Sequence, residues 1–198
     1  MWTESTLTNS VAPRIRPNST TMRIAIATER SGQSFYRRAA SFTRDQRGKA
    51  VFTKLAEEEN EHLRTLEKRY AELMATDPLL ESRPTFLFFK GAANGIFAAA
   101  ADELGPGVSD LDALLIGIRC ERGSHNFFKK YGERFEDSEG KRIFLEFAEE
   151  EREHLELLIR EYRGLLKRYH APPAPQKPHR ATPARPSPKR ALSKRRSA

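Results

Sequence analysis

Two stretches of this sequence place carboxylates and an imidazole at a spacing suited to holding metal ions. One reads Leu55-Ala56-Glu57-Glu58-Glu59-Asn60-Glu61-His62-Leu63, the other Phe147-Ala148-Glu149-Glu150-Glu151-Arg152-Glu153-His154-Leu155. Each contains a Glu-x-x-His pair, Glu59 with His62 and Glu151 with His154. On a helix, residues three apart share a face, so each carboxylate stands beside its imidazole. A lone Glu precedes each pair by 30 residues, Glu29 in the first half and Glu121 in the second. One Glu-x-x-His inside a run of glutamates usually marks a solvated helix face. Two copies in one register, each with its upstream Glu, point instead to a built site. Four carboxylates and two neutral imidazoles carry a formal charge of −4. Burying that charge uncompensated in an apolar interior is severely unfavourable, and two divalent cations cancel it. Each lone Glu then caps one metal, Glu59 and Glu151 bridge, and each His ligates one ion. Mixed carboxylate and imidazole ligation suits iron, with manganese the other candidate.

The elements that must position these residues are repeated too. A shift of 92 positions carries Glu59 to Glu151 and His62 to His154. It also carries Asp45 to Asp137, Gly48 to Gly140, Lys49 to Lys141, Phe52 to Phe144, Phe35 to Phe127 and Tyr36 to Phe128. An internal repeat of this kind sets the architecture: each half is one helical hairpin. Apolar residues at helical spacing predict helices over about 22–43, 49–74, 109–136 and 141–169. Ser19, Thr20 or Thr21 is the expected cap of the first helix, and Asp45 that of the second. Pro78 ends the second helix. A connection of roughly 30 residues follows, read as a crossover lying across the bundle, with room for a short helix. Short, long and short connections then make two antiparallel hairpins joined by one crossover.

Charge separates the ends from the body. The chain has 198 residues and a net charge of +8. From residue 171 onward stand eight basic residues (Lys177, Arg180, Arg185, Lys189, Arg190, Lys194, Arg195 and Arg196) and no acid. The other 27 basic residues equal the 27 acidic ones, so the body is neutral. Seven of the 12 prolines also lie in 171–198, where no apolar periodicity survives. The organisation expected is a flexible segment 1–18, a helical bundle 19–170 and a disordered basic tail 171–198. Such a tail can follow a phosphate backbone, which predicts weak, sequence-independent nucleic-acid binding. Solubilising and membrane-surface roles are the alternatives. Residues 1–18 show no apolar run typical of a signal peptide. The most apolar stretch, residues 86–101, is too short and too interrupted by Lys90 and Asn94 to span a bilayer. With Cys120 the only cysteine, no disulfide framework or Cys-x-x-Cys site is possible within these residues. A reducing, cytoplasmic setting is expected.

Three further residues stand near the repeated set. Tyr36 lies seven residues after Glu29, on the same face, placed either to hydrogen-bond a ligand carboxylate or to pack in the core. His125, four after Glu121, either approaches the site or serves a neighbouring helix or the surface. Cys120 precedes Glu121 but points elsewhere on the helix, as an inert thiol.

The residues Glu29-Arg30-Ser31-Gly32-Gln33-Ser34-Phe35-Tyr36, the stretch 55–63, and their equivalents at Glu121 and Glu151 resemble the ferritin-like superfamily, within it the rubrerythrin-type branch. The resemblance covers about residues 20–168. It implies an all-α, ferritin-like antiparallel four-helix bundle with a di-iron centre that reacts with hydrogen peroxide or oxygen. Two departures from that pattern are visible. The paired Cys-x-x-Cys rubredoxin-like site of full-length rubrerythrins is not among these residues. A Glu usual three residues after the third-helix ligand is here Ser124. The function expected is iron-based redox chemistry, as a peroxidase or a ferroxidase: peroxide or oxygen reduced as ferrous iron is oxidised, with an external electron donor. A homo-oligomer, dimer or larger, is the expected assembly. The alternatives are a non-enzymatic iron-binding or storage protein whose tail associates with nucleic acid, and a scaffold with a vestigial site.

Overall fold

The structure is a computed structural model that describes residues 14–85 and 95–170. Among the described residues five helices follow in order: α1 Ser19–Phe42, α2 Gln46–Thr76, α3 Ala98–Glu103, α4 Asp110–Arg134 and α5 Glu139–His170. The four long ones form the bundle, and no strand is present among the described residues. α1 packs on α2 and α4 on α5, and the two pairs meet chiefly through α2 and α5. Links of three residues (43–45) and four residues (135–138) force each pair antiparallel. The expected short helix within the crossover is α3, which packs on α1 and α4.

Local chemistry explains the helix ends. Asp45 accepts from the Gly48 amide at 2.8 Å and starts α2 three residues before the position that spacing alone suggests. Ser109 accepts from the Asp112 amide at 3.1 Å and starts α4. For α1 the cap is not Ser19, Thr20 or Thr21 but Asn18, whose Oδ1 accepts from the Thr21 amide at 2.9 Å. Asn18 wins because its own Nδ2 also donates to the Pro84 carbonyl at 3.1 Å, a partner distant in sequence.

The anchoring extends to the residues before Asn18. The Ile15 amide donates to the Arg134 carbonyl at 2.9 Å, and the Glu136 amide donates to the Ile15 carbonyl at 2.8 Å. Pro17 lies against Gly140, where a side chain would collide with the proline ring. Residues 14–18 are thus held between the 77–85 loop and the α4–α5 turn. Residues 1–13, the apolar stretch 86–94 and the basic stretch 171–198 lie outside the described residues. No helix among the described residues is long and apolar enough to cross a membrane.

The core has two apolar layers. One gathers Phe35, Tyr36, Phe52, Leu55, Phe97 and Leu114. The other gathers Met22, Leu66, Phe127, Phe128, Phe144 and Phe147. Burial of each such ring or aliphatic side chain contributes about 1.5–3 kcal/mol. The layers draw on opposite halves of every long helix. Glu29, Glu59, Glu121 and Glu151 fall at mid-helix, so a polar layer divides the core at half height.

Candidate metal centre

Each of the four long helices supplies one carboxylate to this layer. Glu59, Glu121 and Glu151 have no solvent exposure and Glu29 is 1% exposed. His62 and His154 follow their glutamates by one turn. Their rings stack with centroids 5.2 Å apart and planes 10° from parallel. His62 Nδ1 lies 3.5 Å from Glu29 Oε2. His154 Nδ1 lies 3.3 Å from Glu59 Oε1 and 3.8 Å from Glu121 Oε1. Ligand atoms of Glu59, His62, Glu151 and His154 all lie within 4.8 Å of one another. The six residues singled out in the sequence therefore converge, from positions as far apart as 29 and 154.

The layer is short of hydrogen-bond donors. Both oxygens of Glu29, Glu59 and Glu151, Oε2 of Glu121, and Nδ1 of both histidines are buried without a partner. Buried polar atoms are nearly always satisfied, and each orphan costs about 1–3 kcal/mol. Electrostatics carries the same message. Burial pushes the carboxyls of Glu29, Glu59 and Glu121 well above the usual range, and neighbouring carboxylates push further. Burial opposes protonation of His154, but Glu59 and Glu151 outweigh it and its pKa rises. A cluster of orphaned acceptors that raises its own pKa values is chemically matched to cations.

Gly32 gives this layer its closeness on the α1 side. A Cβ there would stand 3.0 Å from Glu59 Oε2 and 3.1 Å from Glu59 Cδ, so a larger residue would push the carboxylate back by a few tenths of an ångström.

The structure separates the readings left open for Tyr36 and His125 and places Cys120. Tyr36 is fully buried, stacks on Phe52 with centroids 6.0 Å apart, and donates its hydroxyl hydrogen to Glu121 Oε1. Burial, then Glu121 and Glu59, raise its phenol pKa, so it remains a donor. His125 turns away: its Nδ1 is 2.7 Å from the Ala148 carbonyl, tying α4 to α5. The Cys120 thiol is buried and pushed up to about 12 by burial, which makes it unreactive.

Sequence reasoning missed two carboxylates. His62 Nε2 lies 3.6 Å from Glu150 Oε2, and His154 Nε2 lies 3.6 Å from Glu58 Oε2. Each histidine thus faces, on its outer edge, the residue just before the other half's central glutamate. Their signal was present, since Glu58 and Glu150 are themselves related by the 92-residue shift. A cavity of about 300 Å³ opens over these edges, lined by Lys54, Glu58, His62, Glu150, His154 and Arg160 among others. A larger groove over the outer face of α1 and α2, about 880 Å³, touches His62 but none of the other five.

A family model described as Rubrerythrin matches residues 21–92 and 112–190. No curated protein matches the chain. Among solved structures, a hypothetical protein from Pyrococcus furiosus is similar, with a TM-score of 0.53 at 24% identity over 74% of this chain and 89% of that one. At that identity the likeness concerns the fold alone.

Proposed function

Because this chain belongs to the rubrerythrin family, we propose that it is a di-iron protein that oxidises ferrous iron while reducing hydrogen peroxide or oxygen. The carrying observation is the set of buried carboxylate oxygens and imidazole Nδ1 atoms without partners. Glu29 with His62 would hold one ion, Glu121 with His154 the second, and Glu59 with Glu151 would be shared. Manganese is the other ion this donor set accepts. When bound, two ferrous ions supply two electrons, which with two protons take hydrogen peroxide to two waters.

The chain's own groups hold this arrangement ready. With a metal held at Nδ1, the ring proton of each histidine would sit on Nε2, which lies 3.6 Å from Glu58 in His154 and 3.6 Å from Glu150 in His62. The Tyr36 hydroxyl fixes one oxygen of Glu121 and leaves Oε2 free. Apolar layers close the centre above and below, and the cavity of about 300 Å³ between α2 and α5 reaches both histidines.

The test is stopped-flow absorbance in the near ultraviolet on the anaerobically loaded ferrous protein. The expected result is fast single-turnover oxidation by hydrogen peroxide and slower oxidation by oxygen. Steady-state turnover should be slow until an electron donor is added. A ferrous form inert to both oxidants would make this an iron-binding or scaffold protein. Faster reaction with oxygen would make it a ferroxidase.

A further inference from the structure

Ser124 is fully buried, and its hydroxyl has no hydrogen-bond partner. Serines and threonines inside helices normally settle the hydroxyl on a carbonyl three or four residues earlier. Thr28, Ser31, Ser34, Ser41, Thr53 and Thr76 all do so here. Ser124 does not. It follows Glu121 by one turn on the same face of α4.

The repeat tells what this face meets. The shift that carries Glu29 to Glu121 carries Gly32 to Ser124. At Gly32 the space of a Cβ is filled by the Glu59 carboxylate. On the α4 side the matching space holds a Cβ and a hydroxyl. The two halves of the centre, alike in their six repeated residues, therefore differ here, as they also do where Tyr36 falls on Phe128.

The hydroxyl is also the donor the layer lacks. Once metal binding has ionised them, the carboxylates only accept. The Tyr36 hydrogen is given to Glu121, the Gln33 amide to Asn60 at 2.5 Å, and the histidines' Nε2 atoms face outward to Glu58 and Glu150. A small anion entering among four carboxylates needs a donor as well as cations.

We propose that Ser124 seats a small anionic ligand of the hydroperoxide or azide kind on the α4–α5 side of the centre, donating its hydroxyl hydrogen to it. Gly32 leaves the α1–α2 side without a counterpart, so exogenous ligand binds asymmetrically. This rests on the di-iron reading above.

Azide serves as the probe. It is titrated into the ferric, iron-loaded protein and followed by its charge-transfer absorption, for wild type and Ser124→Ala. Iron per chain should be the same in both, and azide should bind on the order of tenfold more weakly to the variant, as expected for one hydrogen bond to a charged group. The metal-free proteins give a second readout. Removing an unsatisfied buried hydroxyl should leave the melting temperature unchanged or raise it. Equal azide affinity at equal iron content overturns the proposal, as does a wild type that loads iron yet binds no azide. So does a metal-free variant that melts well below wild type, which would make the hydroxyl a structural bond. A wild type that takes up no iron overturns the di-iron reading and this one together.

Discussion

At the scale of residues, the centre is a cluster of buried carboxyls. Replacing Glu59 and Glu151 together with Ala should remove most iron binding, taking metal analysis from about two ions per chain, the number the six-residue set implies, to well below one. Replacing Glu58 and Glu150 with Gln should keep the stoichiometry but weaken affinity about ten- to a hundredfold, the usual effect of losing a histidine's outer partner. Unchanged stoichiometry in the first variant would refute the ligand assignment. The raised pKa values also predict a pH dependence. Carboxyls of the unfolded chain titrate near 4.5, and those of folded Glu29, Glu59 and Glu121 titrate higher. Between those values the folded state binds more protons, so unfolding releases them and stability falls as pH rises. His154, also raised, acts in the same direction. The metal-free protein should be most stable near pH 5 and lose stability toward pH 8. Bound metal should reverse the loss by replacing the protons. Urea midpoints across that range, with and without metal, measure both effects. A metal-free midpoint that climbs with pH would contradict the burial argument.

At the scale of elements, the two hairpins are tied at the end opposite the N-terminal segment. Asp110, in the first turn of α4, accepts from the Arg44 and Asp45 amides of the α1–α2 link at 2.9 and 2.8 Å. Arg168, near the end of α5, reaches Asp45 Oδ1 at 3.0 Å. Asp110 is 9% exposed, and its loss leaves two part-buried amides unpaired. Asp110→Ala should cost about 2–3 kcal/mol in a urea titration, since hydrogen bonds to charged groups are the stronger kind. Iron stoichiometry should be unaffected, because the centre lies several turns away. A cost under about 0.5 kcal/mol would show that the link is held by packing alone. The four long helices were legible because each carries a long 3.6-residue stripe, and Asp45 because its capping contact lies within its own turn. Asn18 was not, since its second partner, Pro84, lies 66 residues away.

At the scale of the whole molecule, charge is divided unequally. A neutral bundle is followed by eight basic residues in 171–198, and the Rubrerythrin match runs on to residue 190. The expected role of that stretch is weak nucleic-acid binding that fades steeply with salt. Full-length protein should shift DNA in a gel at low salt, and a chain ending at Tyr169 should not. Equal shifts would leave the tail a solubilising or surface-binding segment.

The sequence by itself determined what depends on local periodicity. The 92-residue repeat, the Glu-x-x-His spacing and the short-long-short connections specify two hairpins and name the six residues that meet at mid-height. Helical spacing encodes which residues share a face, and that does not change with context. It does not encode how far each helix is rotated against its neighbours. By spacing, Ser124 and His125 flank the direction of Glu121 almost equally, on opposite sides. Only the packing of α4 on α5 turns His125 to the Ala148 carbonyl and leaves the Ser124 hydroxyl buried and unpartnered. The same packing brings Glu58 to His154 and Glu150 to His62 across the hairpins. Those pairings follow from the relative rotation and height of helices far apart in the chain, which the core sets and no short stretch of sequence contains.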